Sequence, residues 1–290
     1  MVVEDTYAEA FGGVYARLLV TAKDERWLMN AVNCVTGYST STLGCDCEAG
    51  IESLTNRTPD NRVGAILQFH VPSWRKEAVR DLEMALIHRI SQCVLTCPTT
   101  RVFNASDSAE KLGVGKKMGF FGDGFQENVE RYGRKMVLIP IMAGEFLIEE
   151  EFGYGEGVMG GNIWIMGDSE DNALNASLKA VDAVHKIGGV ITSFPGGICS
   201  SGSKVGSKYK FMVASTQHEY CPTLKGKTES KLPNGVSSAT EIVINGISEE
   251  KVTEAMRNAV KAIESSRGVI KVTAANFGGR LGKHKIRLRA

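Results

Sequence analysis

The amino-acid sequence predicts an α+β fold made of two ferredoxin-like lobes, each a βαββαβ unit whose mainly antiparallel sheet is flanked by helices. Three observations carry that prediction. Apolar runs recur in the same order in both halves of the chain, their spacing switches between strand and helix periods, and 290 residues leave room for two domains with cores of their own.

In the first half, residues 17–21 form a short apolar run, followed at helical spacing by Trp27, Leu28, Ala31, Val32 and Val35. A strand around residues 65–69 leads into a helix from Ser73 to about Ile90, with Val79, Leu82, Leu86, Ile87 and Ile90 on one apolar face. The apolar run at 93–96 is the expected closing strand. The second half repeats the order. Residues 162–166 are a strand; Leu174, Leu178, Val181, Ala183 and Val184 lie on a helix; residues 188–192 are the next strand. A further strand at 241–245 ends at Ser248, a good N-cap followed by acids in the first turn. The helix of Val252, Met256, Val260 and Ile263 follows, and residues 269–272 close the set. Between the halves, residues 103–157 are glycine-rich, with apolar runs at 137–139 and 146–148 that read as an extra hairpin on the first lobe. The expected domains are 1–146, with the hairpin insertion, and 147–290.

Charge and composition remove several function classes. Hydrophobic residues are 43% and charged residues 23% of the chain, ordinary for a globular protein and unlike a disordered one. Lys and Arg total 34 against 33 Asp and Glu, so no field steers the chain onto nucleic acid or an anionic membrane. The longest apolar stretch, 136–144, contains Pro140 and falls far short of the ~20 residues that span a bilayer. Glu4 and Asp5 stand where a secretory signal would carry basic residues. The seven cysteines show no zinc-knuckle spacing and read as reduced thiols, mostly in the core, which places the protein in a reducing cytoplasm. Five histidines offer no paired-ligand spacing, so no metal site is expected.

Two familiar patterns fail on context. Gly155, Gly157 and Gly160 match GxGxxG but precede a strand, whereas a dinucleotide site needs them after a strand and before a helix. The stretch from Gly197 to Lys204 approaches a P-loop with its Ser and Lys in the wrong order. Glycine itself stands out, 32 residues concentrated in loops with small polar neighbours: 120–125, 194–198, 200–208 and 276–279. Each alone is a tight turn. Together, at the ends of the repeated strands, they bring backbone N–H groups and aromatic faces close enough for a flat polar heterocycle.

These segments carry a resemblance. The stretches 4–11, 120–124, 194–198, 203–208, 214–216, 220–223, 241–246 and 276–279 resemble, over nearly the whole chain, the formylmethanofuran:tetrahydromethanopterin formyltransferase family of archaeal one-carbon metabolism. The resemblance implies two ferredoxin-like lobes, a cytoplasmic homotetramer, and reversible transfer of a formyl group from methanofuran to N5 of tetrahydromethanopterin. These carriers act as cosubstrates, with no tightly bound cofactor or metal. A net charge of +1 departs from the acidic surface of salt-adapted members. Transfer from amide to amine passes through a tetrahedral intermediate, and the pterin amine needs no enzyme nucleophile; the protein's task is to position two coenzymes and stabilise an oxyanion. Within the family's active-site word, Glu241 is the expected catalytic donor, its pKa raised by desolvation; the alternative is a carboxylate at a wet strand end. Phe121, Asp123, Phe194, Pro195, Gly196, Gly197, Ser200, Ser201, Lys204, Lys208, Ser215, Thr216, Asn276 and Phe277 are the expected substrate-binding residues. Among them, Lys204 and Lys208 would meet anionic groups and the three phenylalanines would stack rings. Two competing readings stand beside this one: the formyl-transferring subunit of a bacterial formyltransferase/hydrolase complex, and a non-enzymatic ligand-sensing ferredoxin-like module.

Overall fold

Alternation of side chains along four central strands in each lobe sets the architecture. In a computed structural model, which describes residues 1–289, the chain opens with β1 (Val2–Val3), β2 (Tyr7–Ala22), α1 (Glu25–Val35), β3 (Glu48–Thr55), β4 (Val63–Pro72), α2 (Ala78–Arg89) and β5 (Arg101–Asn104). It continues through β6 (Lys111–Leu112), α3 (Val114–Met118), β7 (Glu127–Arg131), β8 (Arg134–Ile141), β9 (Gly144–Glu149) and β10 (Phe152–Gly167). The remainder is α4 (Glu170–Val184), β11 (Val190–Thr192), β12 (Lys204–Val205), β13 (Ala214–Ser215), β14 (Ser238–Gly246), α5 (Glu249–Ala262), β15 (Val269–Thr273) and β16 (His284–Arg287). The chain divides into two compact units, Gly13–Gly157 and Met1–Gly12 with Val158–Ala290.

In the first unit β2 pairs antiparallel with β4 and β5, and β3 pairs with the far side of β4, giving the order β5-β2-β4-β3 of a ferredoxin-like sheet. Ala16, Leu18, Val20 and Ala22 of β2 and Ala65, Leu67 and Phe69 of β4 face the helices. There they meet Leu28, Ala31, Val32 and Val35 of α1 and Leu82 and Leu86 of α2. The leucines, valines and Phe69 among them each contribute roughly 1.5–3 kcal/mol by leaving water, the alanines less. The predicted hairpin is β8–β9, extended by β7 and joined to the sheet through a parallel β5–β9 pairing.

Two differences from the sequence reading have local causes. Residues 90–94 are a π-helical turn continuing α2, and the closing strand comes later, as β5. Leu82, Leu86, Ile90 and Val94 are spaced by four and all buried, so the apolar run at 93–96 begins as the end of a helical stripe. β3, absent from the sequence reading, carries Glu48 and Glu52, and a register shift between Ile51 and Ser53 breaks its alternation.

The second unit repeats the topology, with sheet order β15-β10-β14-β11, all antiparallel. Ser169 and Ser248 cap α4 and α5, accepting from the N–H groups of Asn172 and Lys251. The α4 face that packs is small, formed by Ala173, Ala176, Ser177, Ala180, Val181 and Val184, while Leu174 and Leu178 point outward. The first twelve residues belong to this unit because β1 pairs with β15 and the start of β2 pairs with β16. The compact units therefore cut the chain differently from the expected 146/147 boundary, with residues 147–157 in the first unit. Gly155, Gly157 and Gly160 all lie inside β10, where no dinucleotide turn can form. Among the described residues no helix is long and apolar enough to cross a membrane, and no group of three or more His, Cys, Asp or Glu is placed to hold a metal ion.

The face of the first sheet away from its helices holds a polar row. Arg17 donates twice to Glu52, at 2.7 and 2.8 Å, and Gln68 Nε2 donates to the same carboxylate at 2.6 Å. Gln68 Oε1 lies 2.8 Å from His70 Nε2, and Tyr15 stacks on the His70 ring. His70 is fully buried, which lowers its pKa to about 3. The unfolded chain therefore takes up this proton near its ordinary 6.5 while the folded chain resists it. The contribution is complete above about pH 6.5 and is lost as pH falls toward 3, by up to ~1.4 kcal/mol per unit. Denaturant titrations between about pH 6.5 and 5, above the carboxylate range, should give a shallower loss of stability for His70→Gln than for wild type. Equal slopes would refute the assignment.

Candidate active site

Strand alternation places the site. In β10 and β14 the isoleucines Ile163, Ile165, Ile242 and Ile244 face the helices, so Trp164, Met166, Ala239 and Glu241 face the other way. The connection from β11 to β14, residues 193–237, folds back over this second face, where Leu232 and Val236 are buried with Trp164 and Met166. A backbone bridge between Cys199 and Glu241 ties the start of the connection to β14, with N–H···O distances of 2.7 and 2.9 Å. The pocket between them, open to solvent on one side, has a volume of about 180 Å³ and is lined chiefly by Trp164, Cys199, Ser200, Ser201, Tyr220, Cys221 and Glu241.

Trp164 and Glu241 are direct cross-strand partners, and the indole Nε1–H donates to Glu241 Oε1 at 2.9 Å. Tyr220 packs edge-on against the indole, with ring centroids 4.8 Å apart. Burial raises the Glu241 pKa above the ordinary carboxylate value, and the indole hydrogen bond only partly offsets this. The site presents a carboxyl biased toward its protonated form on the wall of a small, partly apolar pocket. Such a group donates a hydrogen bond where a developing negative charge needs one.

Of the residues expected from sequence, the structure brings Glu241, Ser200 and Ser201 together on the pocket wall. Thr216 lies one step away, its hydroxyl 3.3 Å from Cys221 Sγ. Lys204 and Ser215 face each other in the β12–β13 hairpin, and Lys208 Nζ sits 5.1 Å from the Tyr209 ring centre, so these three line the hairpin rather than the pocket. Phe194, Pro195, Gly196 and Gly197 form the turn after β11, outside the pocket lining. Gly197 is held at φ +80°, where an added Cβ would meet Val181 at 2.7 Å, so its smallness serves packing. Asn276 donates to Thr6 Oγ1, and the Phe277 N–H donates to Glu9. Phe121 and Asp123 belong to the first unit, Phe121 exposed and Asp123 ending a short turn at φ +52°.

The sequence reading missed Trp164, Tyr220, Cys199 and Cys221 as site residues. The signal for Trp164 was its position between two isoleucines, which period-2 alternation turns to the opposite face. The cysteines also depart from a mostly buried set: only Cys47 and Cys199 are buried, and Cys34 is exposed.

Residues 1–141 match the profile of the formylmethanofuran-tetrahydromethanopterin formyltransferase family, and residues 144–290 match its proximal-lobe profile. The chain belongs to this family. It is 48% identical to the formylmethanofuran–tetrahydromethanopterin formyltransferase of Methanocaldococcus jannaschii, over 99% of this chain and 96% of the relative. A solved formyltransferase from Methanosarcina barkeri superposes with a TM-score of 0.92 at 44% identity, covering 99% and 96% of the two chains. The formyltransferase/hydrolase complex of Methylorubrum extorquens, solved with methylofuran, contains a chain that superposes at 0.90 with 39% identity, covering 99% and 95%.

Removing the indole donor should raise the Glu241 pKa further. A Trp164→Phe variant, followed by carboxyl ¹³C shifts of labelled glutamate with Glu241→Gln for assignment, should titrate Glu241 at higher pH than wild type. An unchanged or lower midpoint would remove Trp164 from control of this carboxyl.

Proposed function

We propose that this protein reversibly transfers a formyl group from formylmethanofuran to N5 of tetrahydromethanopterin by direct attack. Family membership along the whole chain supports the substrates, and the desolvated Glu241 carboxyl supports the chemistry. The N5 amine attacks the formyl carbon, the carbonyl π electrons move to oxygen, and protonated Glu241 donates to that oxygen. Collapse re-forms the carbonyl and breaks the bond to the methanofuran nitrogen, which takes a proton as N5 releases one. Ser200 and Ser201 share the pocket wall with this carboxyl, and Thr216 lies behind Cys221. Lys204 and Lys208 meet anionic groups of the coenzymes as point charges. Within the second unit, Phe194 and Phe277 offer ring faces, and the 195–197 turn, Ser215 and Asn276 add polar and backbone groups for binding. No tightly bound cofactor takes part, and the protein works as a homotetramer in the cytoplasm. Structural alignment gives 44% identity to the Methanosarcina barkeri formyltransferase against 39% to the chain of the formyltransferase/hydrolase complex, which favours a self-sufficient transferase over a complex subunit.

Glu241→Ala should lower kcat by 10²–10³, roughly 2.7–4 kcal/mol of barrier, with both coenzymes still bound. Glu241→Gln should lose less if hydrogen-bond donation alone matters, and as much as Ala if a proton moves. A folded Glu241→Ala enzyme within about threefold of wild-type kcat would take this residue out of the mechanism.

Cys199 and Cys221 line the pocket, so a bulky thiol reagent should block transfer by filling it. The Cys199→Ser and Cys221→Ser enzymes should nonetheless keep kcat within a few-fold of wild type, because neither sulfur attacks the formyl carbon. A loss beyond a hundredfold in either folded variant would point instead to acyl transfer through sulfur.

A further inference from the structure

The most densely bonded carboxylate of the second unit is not Glu241. Glu9, on the early part of β2, is 1% exposed, yet it has no cationic partner among its recorded contacts. Its charge is held by backbone instead. Oε2 accepts from the N–H groups of Phe277, at 2.6 Å, and Gly279, at 2.9 Å; Oε1 accepts from Leu281 and from Gly282, the latter at 3.0 Å. Burial works against this carboxylate, and the four donors more than offset it, leaving the pKa below the ordinary value. A segment with no regular structure, residues 276–282, is thereby wrapped around one side chain. Close approach is enforced at its end, where a Cβ on Gly282 would come within 2.0 Å of the Ala10 carbonyl oxygen.

The start of the strap is anchored just as firmly, and next to the pocket. The Ala275 N–H donates to Asn162 Oδ1 at 2.6 Å, and its carbonyl accepts from Asn162 Nδ2 and from the Glu9 N–H. The Ala275 side chain packs against the cluster of Trp164 and Met166, beside Tyr220. The next two residues are Asn276 and Phe277. A free strap of this length would sample many conformations, and ordering it on coenzyme binding would weaken that binding.

We propose that Glu9 is a positioning residue for formyl transfer: it fixes the 276–282 strap before substrate arrives, so that Asn276 and Phe277 stand ready at the edge of the Trp164–Glu241 pocket. This rests on the reading of that pocket as the transfer site. Glu9 touches no reacting atom, so its loss should act on binding rather than on the chemical step.

The test compares wild type with Glu9→Gln, which keeps size and removes the charge, and with Glu4→Gln as control. Glu4 lies in the same unit and contacts Thr273 and Lys271 rather than the strap. Glu9→Gln should raise KM for at least one coenzyme about tenfold or more while saturated kcat falls less than about threefold. Hydrogen exchange should quicken at the amides of 277–282 and stay unchanged in α4 and α5. Glu4→Gln should leave both KM values as in wild type, even if it melts earlier. If Glu9→Gln does not fold, Glu9→Asp, still charged but too short to serve both pairs of donors, should give the same split at smaller size. Wild-type KM values in a folded Glu9 variant, or strap amides protected as in wild type, would overturn the positioning role. A wild-type enzyme that transfers no formyl group would instead overturn the proposed function.

Discussion

A sheet covered by helices on one face must turn every second side chain to the other, and in the second unit that constraint puts Trp164 and Glu241 together. The pair depends on register. A slip of one residue between β10 and β14 would send Glu241 into the aliphatic layer of Ile163, Ile165, Ile242 and Ile244. The helical layer thus specifies the site without touching it, because the burial of four isoleucines fixes where one carboxyl emerges. The connection over residues 193–237 then supplies what the sheet lacks, a cover that removes water while leaving an opening lined by Ser200 and Ser201.

The chemistry follows from how little that carboxyl is given. Several donors converging on a buried carboxylate lower its pKa, as they do at Glu9, and burial with few donors raises it, as at Glu241. Glu241 has a single indole N–H as its recorded side-chain partner. That donor orients the group without neutralising the cost of its charge. Two glutamates in one unit are driven in opposite directions, and the difference lies in backbone geometry rather than in residue type. One gathers backbone donors; the other is left with a single indole donor.

Much of this was legible in the sequence, and what was not has identifiable causes. The duplicated order of strands and helices could be read because β14, α5 and residues 162–166 of β10 carry clear apolar runs or periods. The first unit was harder. β3 hides behind Glu48, Glu52 and a register shift, and the stripe from Leu82 to Val94 continues past the end of α2 as a π-turn, so its last residues imitate a strand. Glu241 was reachable from its position in an apolar strand together with the family word around it. Its partner Trp164 lies 77 residues away along the chain, and only the β10–β14 register joins them. Glu9 and its strap are separated by up to 273 residues, and the donors are backbone groups that no residue letter encodes.

The two lobes share a topology, and their open faces show how one fold acquires chemistry on one copy only. In each lobe the third strand presents polar side chains away from the helices: Gln68 and His70 on β4, Glu241 on β14. On the first lobe the row is largely paired within itself: Arg17 donates to Glu52 twice, Gln68 bridges Glu52 to His70, and His70, its pKa lowered by burial, stacks on Tyr15 with its Nδ1 left without a partner. On the second lobe the neighbouring positions are Trp164, Met166 and Ala239, which desolvate the carboxyl and give it one indole hydrogen bond but no cation. Ion pairing ties the first face together, whereas Glu241, with no cationic partner among the described residues, keeps a raised pKa on the second.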